Sequence, residues 1–239
     1  MTAITIIAGG STGLGAALVD KFNQNQHQVY EFSRSGSGPG HIDCDFSHVD
    51  QSQQLFQRFF SGLTDFDEIN LVINTATLAP FGGMGDADLA VIEQHLAINV
   101  QTTTLLIQSF LATFGQIEAL KTITYISSGA ARRPIPGLAL YSASKAFFER
   151  LIDTISAEQQ EQPHPFKCLV INPGVMDTGM QQEIRSQDEA DFPLVGMWQE
   201  WHEAGQLAQP EDIARVCYEL ITEKADPGDY CVAQDWLKK

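Results

Sequence analysis

Tyr141 and Lys145 stand four residues apart in Tyr141-Ser-Ala-Ser-Lys145. On a helix that spacing puts the phenol and the ammonium on one face. The pair suits a particular proton transfer. A ketone reduced by hydride becomes an alkoxide and needs a proton. A phenol supplies it near neutral pH only where a cation stabilises the phenolate. A second stretch with chemical meaning is Ala8-Gly9-Gly10-Ser11-Thr12-Gly13-Leu14-Gly15. Glycines let the backbone turn sharply and approach a pyrophosphate. A helix that follows aims its N-terminal amides and dipole at that anion.

Both stretches need elements to hold them. Apolar, β-branched runs recur at residues 4–8, 28–32, 71–74, 122–127 and 168–172. Helical patterns fill residues 13–24, 51–60, 87–113 and 141–159 between them. Strands alternating with helices predict an α/β fold: a doubly wound parallel sheet of Rossmann type in three layers, α/β/α. Short crossovers, with no repeat and no Ser/Pro-rich linker, predict one domain over residues 1–239. The segment 179–209 is rich in Met, Trp and acidic residues and breaks the rhythm. It reads as an inserted helical flap.

Composition excludes several partners. With 14 basic and 30 acidic side chains the net charge is −16, which repels nucleic acid and anionic membranes. The start has no cation before Lys21, as a secretory signal would require. The longest uncharged run, between Glu93 and Glu118, is too polar to span a bilayer. Cys44, Cys168, Cys217 and Cys231 form no C-x-x-C pair, so reduced thiols and a cytoplasmic location are expected. No metal-ligand spacing is present, and no metal is expected.

The glycine spacing G-x-x-x-G-x-G and the Tyr-x-x-x-Lys pair resemble the short-chain dehydrogenase/reductase family. The resemblance covers residues 3 to about 232, with specific motifs through Thr178. It implies roles for further residues. Ser128, in Tyr125-Ile-Ser-Ser-Gly-Ala130, would hold the substrate carbonyl oxygen. Asn99, in Ile98-Asn-Val100, would position a water linking Lys145 to solvent. Lys145 would also bind the nicotinamide ribose. Gly9, Ser11, Thr12, Gly13, Leu14 and Gly15 would form the pyrophosphate turn. After Asn172, Pro173 and Gly174 would turn the chain toward the nicotinamide. The backbone near Met176 and the Thr178 hydroxyl would read its carboxamide.

Cofactor choice rests on the end of the second strand, Val29-Tyr-Glu-Phe-Ser33-Arg34. An acidic residue there favours NAD in the family. Here Ser33 occupies that slot and Arg34 follows it, offering a planar fork matched to phosphate. NADP(H) is therefore expected, with Ser33 and Arg34 on the 2′-phosphate. A shift of one residue bringing Glu31 to the ribose would favour NAD(H) instead. The resemblance sets Asp45 and Phe46 near the adenine, while an Asp capping the next helix is an equal alternative. Asn74 and Ala76 persist from the family's Asn-Asn-Ala-Gly segment and belong to the adenosine side, although Thr77 replaces its glycine.

Other departures are Ala8 for the usual Thr and the missing Asp-Gly-Gly ending. The ending Gly228–Asp235, with Gly205–Pro210, is similar to the sepiapterin/benzil-type reductase branch of the family. Pro210 reads as a helix start. Pro134, Ile135, Leu138, Met180, Met197, Trp198 and Trp201 are candidate apolar walls for a small carbonyl substrate. The uncharged helix from Ala97 to Thr113 points to burial on more than one side, and the family resemblance implies a homodimer or a homotetramer of D2 symmetry through it and the helix starting at Tyr141. The expected function is NADPH-dependent carbonyl reduction. The alternatives are an NAD-dependent alcohol dehydrogenase and a non-catalytic dinucleotide sensor on the same fold.

Overall fold

A computed structural model describes residues 2–237; the ends of the expected 1–239 span lie outside the described residues. Seven parallel strands share one sheet: β1 (Ala3–Ala8), β2 (Gln28–Ser33), β3 (His41–Asp43), β4 (Glu68–Ile73), β5 (Leu120–Ile126), β6 (Lys167–Asn172) and β7 (Tyr230–Val232). Their order is β3-β2-β1-β4-β5-β6-β7. The direction of winding therefore reverses between β1 and β4, which opens a crevice at their C-terminal ends. Ala8 lies in register with Phe32 on one side and Ile73 on the other.

Side-chain alternation along the strands divides the core. Ile4, Ile6 and Ala8 of β1 pack with Phe56, Phe60, Phe110, Phe114 and Phe148. These rings come from α2 (Val49–Ser61), α4 (Thr103–Phe114) and α5 (Ala139–Gln159). Ile7 instead meets Leu14, Leu18 and Phe22 of α1 (Gly13–Gln24), with Ile213 and Cys217 of α8 (Pro210–Glu219). Each such burial stabilises by about 1.5–3 kcal/mol. Three layers result, as the alternating pattern predicts.

The expected helix over 87–113 is not continuous. Asp88 caps α3 (Leu89–Leu96), accepting from the Ala90 and Val91 amides at 2.8 and 3.3 Å. Ala97–Thr102 then adopts wider π-helical turns before α4 begins. Asn99 sits in those turns. In the C-terminal stretch, β7 adds to β6 as a seventh strand. As expected, α8 starts at Pro210, with Glu211 and Asp212 in its first turn.

Segments following β4, β5 and β6 build a third apolar cluster. It includes Leu78, Ala130, Leu138, Ile184, Phe192 and Val195. The last three come from the segment 179–209, which carries α6 (Gly179–Arg185) and α7 (Val195–Glu203). Among the described residues, no helix is long and apolar enough to cross a membrane, and no three His, Cys, Asp or Glu side chains cluster to hold a metal.

Candidate active site

The glycine turn leaves β1 through Gly9, whose φ of +81° and whose contact with the next loop both require glycine. A Cβ there would come within 2.9 Å of the Thr75 amide nitrogen. A Cβ on Gly15 would run into the Gly9 carbonyl, so α1 packs tightly against the turn. The Asn74 side chain completes this lock by donating to the Gly9 carbonyl at 3.1 Å. Thr12 precedes α1 without a side-chain capping bond. The first amides of α1 are thereby left for an outside anion. Gly9, Ser11, Thr12, Gly13 and Leu14 line a cleft of about 440 Å³. Gly15 is not on its wall and acts in packing instead.

The far side of this cleft carries Ser33, Arg34, Asp45, Phe46, Asn74 and Ala76. Arg34 is exposed and, among the described residues, makes no hydrogen bond or ion pair. Ser33 is different. Its hydroxyl donates to Glu31 Oε1 at 3.2 Å and accepts from the Gly36 amide at 3.0 Å. That directs its proton to Glu31, while Ser33 stays on the cleft wall beside Arg34. Ser35, missed in the sequence, lines the cleft next to Arg34 and lies 3.5 Å from Ser11, Oγ to Oγ. Glu31 is only 5% exposed and pairs with His41 at 2.5 Å. It lies beneath Gly10 rather than on the cleft wall, so the register that would offer it to a ribose is not adopted.

Asp45 does not cap α2, whose N-cap is His48. Its carboxylate accepts from the Ser47 amide and hydroxyl at 2.9 and 2.7 Å. Burial would raise the Asp45 pKa, but these bonds, with Arg34 and His48 nearby, hold it below the usual range.

The second cavity, about 310 Å³, shares Asn74, Ala76, Met176, Thr178 and Met180 with the first. Ser128, Tyr141 and Lys145 all line it, as do Pro173 and Gly174. Tyr141 and Lys145 lie on the buried side of α5. The Lys145 ammonium donates to the Ile126 carbonyl at 2.8 Å and lies 5.6 Å from the Tyr141 ring centre. Ser128 ends β5's following turn, its hydroxyl accepting from the Ala130 amide at 3.2 Å. Asn99 is not on the cavity wall. It accepts from the Thr77 amide and donates to the Thr77 carbonyl, both at 2.8 Å, and approaches His95 and Ser144. Thr178 caps α6, its hydroxyl oxygen accepting from the Gln181 amide at 3.4 Å, so its proton stays available.

A family model described as short chain dehydrogenase matches residues 3–189. The chain belongs to the short-chain dehydrogenase/reductase family. It is 30% identical over 230 residues to a Bacillus subtilis benzil reductase, the (S)-benzoin-forming enzyme, covering 93% of this chain and 95% of that one. A short-chain dehydrogenase/reductase from Saccharomyces cerevisiae has the same fold, with a TM-score of 0.83 at 21% identity over 98% and 96% of the two chains. ElxO, solved with NADP bound, also shares the fold, with a TM-score of 0.78 at 19% identity over 100% of each. Members of this family carry out NAD(P)-dependent oxidoreduction at carbonyl and alcohol carbons, and the chain is an oxidoreductase of that class.

Within this family frame the electrostatics of the cavity are informative. Burial pushes the Tyr141 phenol up to about 12, with the Ser128 hydroxyl working the other way. The phenol therefore keeps its proton at neutral pH. Burial pushes the Lys145 ammonium down to about 7, against the Glu149 carboxylate that favours its charge. Proton donor and cation thus sit together where small changes of environment move charge.

Of the expected apolar walls, Ile135, Leu138, Met180 and Trp198 line the cavity, whereas Pro134, Met197 and Trp201 do not. Helical spacing alone did not say which face of α7 turns inward. Gln181, Ile184, Arg133 and Gln234 also line it; the first two reach it through the folding of 179–209 over the sheet, the others from the segments after β5 and β7.

Proposed function

We propose that the chain is an NADPH-dependent carbonyl reductase acting on a small, largely apolar ketone or diketone. The observation that carries this is the meeting of Ser128, Tyr141 and Lys145 on a cavity continuous with the glycine-turn cleft. NADP(H), when bound, supplies or takes up the hydride. Ser128 and Tyr141 hold the carbonyl oxygen, and Tyr141 Oη gives it the proton. Lys145 stabilises the phenolate left behind. Asn99 acts from behind, ordering a water through which Lys145 regains a proton from solvent. Arg34 holds the 2′-phosphate, with Ser11, Thr12, Gly13 and Leu14 at the pyrophosphate. Met176 and Thr178 fix the carboxamide, and Asp45 and Phe46 border the adenine.

Arg34's freedom from any ion pair supports the choice of NADP(H), as does the burial of Glu31 against His41. The NADP-bound neighbour of the same fold agrees with it. The diketone substrate of the benzil reductase relative agrees with an apolar cavity of this size. Residues 179–209 act as a flap that completes the substrate wall. The chain self-associates through α4 and α5, where Phe147 is 44% exposed. A monomer by light scattering at micromolar concentration would reject that association.

The deciding experiment follows NADPH oxidation with a panel of diketones, quinones and aromatic ketones, comparing wild type with Tyr141→Phe. Removing the proton donor should lower kcat by about 100-fold or more while cofactor binding persists. Equal turnover by both proteins would remove Tyr141 from the role. Tight NADPH binding without turnover of any carbonyl would remove the reductase function itself.

A further inference from the structure

The flap carries two polar groups that the protein itself leaves unanswered. Gln181, on α6, is 3% exposed, and neither its carboxamide oxygen nor its carboxamide nitrogen has a hydrogen-bond partner. The indole N–H of Trp198, on α7, is likewise buried without an acceptor. Both residues line the cavity that holds Ser128, Tyr141 and Lys145. Among the described residues, no other buried unpartnered side-chain group belongs to that wall.

Several buried or half-buried polar neighbours are already engaged. Lys145 donates to the Ile126 carbonyl, Gln234 to the Val175 carbonyl, and Asn172 both donates to Tyr230 and accepts from the Gly174 amide. Much of the remaining wall is apolar, with Leu78, Ile135, Leu138, Met180 and Ile184. An unpaired polar atom in such surroundings costs stability unless something supplies its partner. Sites of this kind use a few polar groups in an apolar wall to fix how a ligand lies. Gln181 follows Met180, whose sulfur is 4.0 Å from the Tyr141 hydroxyl, so the two polar regions face the same small substrate.

We propose that Gln181 and Trp198 form a second polar anchor, selecting carbonyl compounds that carry another oxygen away from the reacting one. This deepens the carbonyl reductase function and rests on it. The indole N–H can only donate, so the atom it meets is an acceptor, and a ketone or hydroxyl oxygen fits. The carboxamide both donates and accepts, so it serves either group. A site built this way rejects an analogue that lacks the second oxygen, because its buried groups then stay unpaired. The anchor is a specificity determinant, distinct from the groups that move the proton.

The test compares 1-phenylpropan-1-one with 1-phenylpropane-1,2-dione as substrates for NADPH-driven reduction. Wild type, Gln181→Leu and Trp198→Phe are assayed for kcat/KM on both. The dione is intrinsically more reactive, so the readout is how the dione-to-monoketone ratio changes between proteins. Each variant should lower that ratio by roughly tenfold, while any change to the wall itself acts on monoketone and dione alike and cancels in the ratio. The loss should lie mainly in KM for the dione. Melting temperature should hold or rise in Gln181→Leu, because a buried unpaired amide is replaced by an apolar group. An unchanged ratio in both variants, with turnover intact, would overturn the anchor alone. If wild type reduced neither ketone nor any other carbonyl, the reductase function would fall and the anchor with it.

Discussion

Glu149 lies one helical turn beyond Lys145 on α5, is 8% exposed, and is the acid that sustains the buried ammonium. It accepts from Ser127 Oγ at 2.6 Å and from Arg132 Nε at 2.8 Å. Glu149→Gln keeps the shape and can keep the Ser127 bond, while Arg132, half-exposed, can turn outward. Only the charge is lost. At an effective dielectric of about 20, a unit charge some 6–12 Å away contributes at least about 1.4 kcal/mol, a factor of ten in proton affinity. Burial already brings Lys145 down to about 7. Without Glu149 its protonated fraction at pH 7 should drop from about one half to about one tenth. The rate constant kcat should then fall about fivefold at pH 7, less than twofold at pH 6, and nearly tenfold at pH 8. The assay is a pH profile of kcat for carbonyl reduction under saturating NADPH. Its alkaline limb should move down by about one pH unit. A loss that is equal at every pH would refute the electrostatic role and leave Glu149 a packing residue.

Arg34→Ala removes a cleft cation that, among the described residues, has no ion pair, and its charge-assisted bonds are worth about 1.5–3 kcal/mol. KM for NADPH should therefore rise roughly tenfold to a hundredfold, with KM for NADH unchanged; an unchanged NADPH value would exclude Arg34 from the phosphate site. Gly15→Ala drives a methyl into the Gly9 carbonyl, so fluorescence titration should show NADPH binding weakened or lost, and wild-type affinity would contradict the turn's tight packing. Burial raises the thiols of Cys168 and Cys217 to about 12. For an acid whose pKa is raised by folding, the stabilisation is complete below its unfolded value and is lost as pH climbs toward the folded one. Unfolding free energy from urea titrations under reducing conditions should thus fall from pH 9 upward, by about 1.4 kcal/mol per pH unit for each thiol. Cys168→Val should blunt that fall, and a stability flat to pH 11 would refute it.

What could be read in the sequence is what short-range geometry dictates. The glycine turn announces itself because backbone crowding at Gly9 and Gly15 tolerates nothing larger. Tyr141 and Lys145 announce themselves because four residues make one helical turn. Long-range pairings stayed hidden. The π turns at Asn99 arise where that side chain is locked by both its atoms to Thr77, 22 residues earlier, so a periodic pattern over 87–113 looked unbroken. The bonds of Ser33 to Glu31 and Gly36 form only after β2 meets its turn. Gln181 carries no sequence signal of its own, because its isolation exists only once α6 and α7 close over the sheet. Met197 and Trp201 shared the composition of the cavity wall but not its direction.

A chain with net charge −16 repels, at long range, a cofactor that is itself an anion. The cleft resolves this locally rather than globally. Beyond about 8 Å, physiological salt screens most of the surface acidity. Carboxylates beside the cleft are tied up within the protein. Glu31, the acid closest in sequence to the phosphate position, is folded under Gly10 and tied to His41 and Ser33. Asp45 is bound to Ser47 and lies in the field of Arg34. The attraction then comes from uncapped amides of α1, which carry no net charge, and from one guanidinium. Amides are fixed by the helix and need no reorganisation to meet a phosphate, so the pyrophosphate can be held without a basic patch. On the proposed reading that division leaves discrimination to Arg34: the amides would serve any dinucleotide, and the guanidinium would distinguish one bearing an extra phosphate.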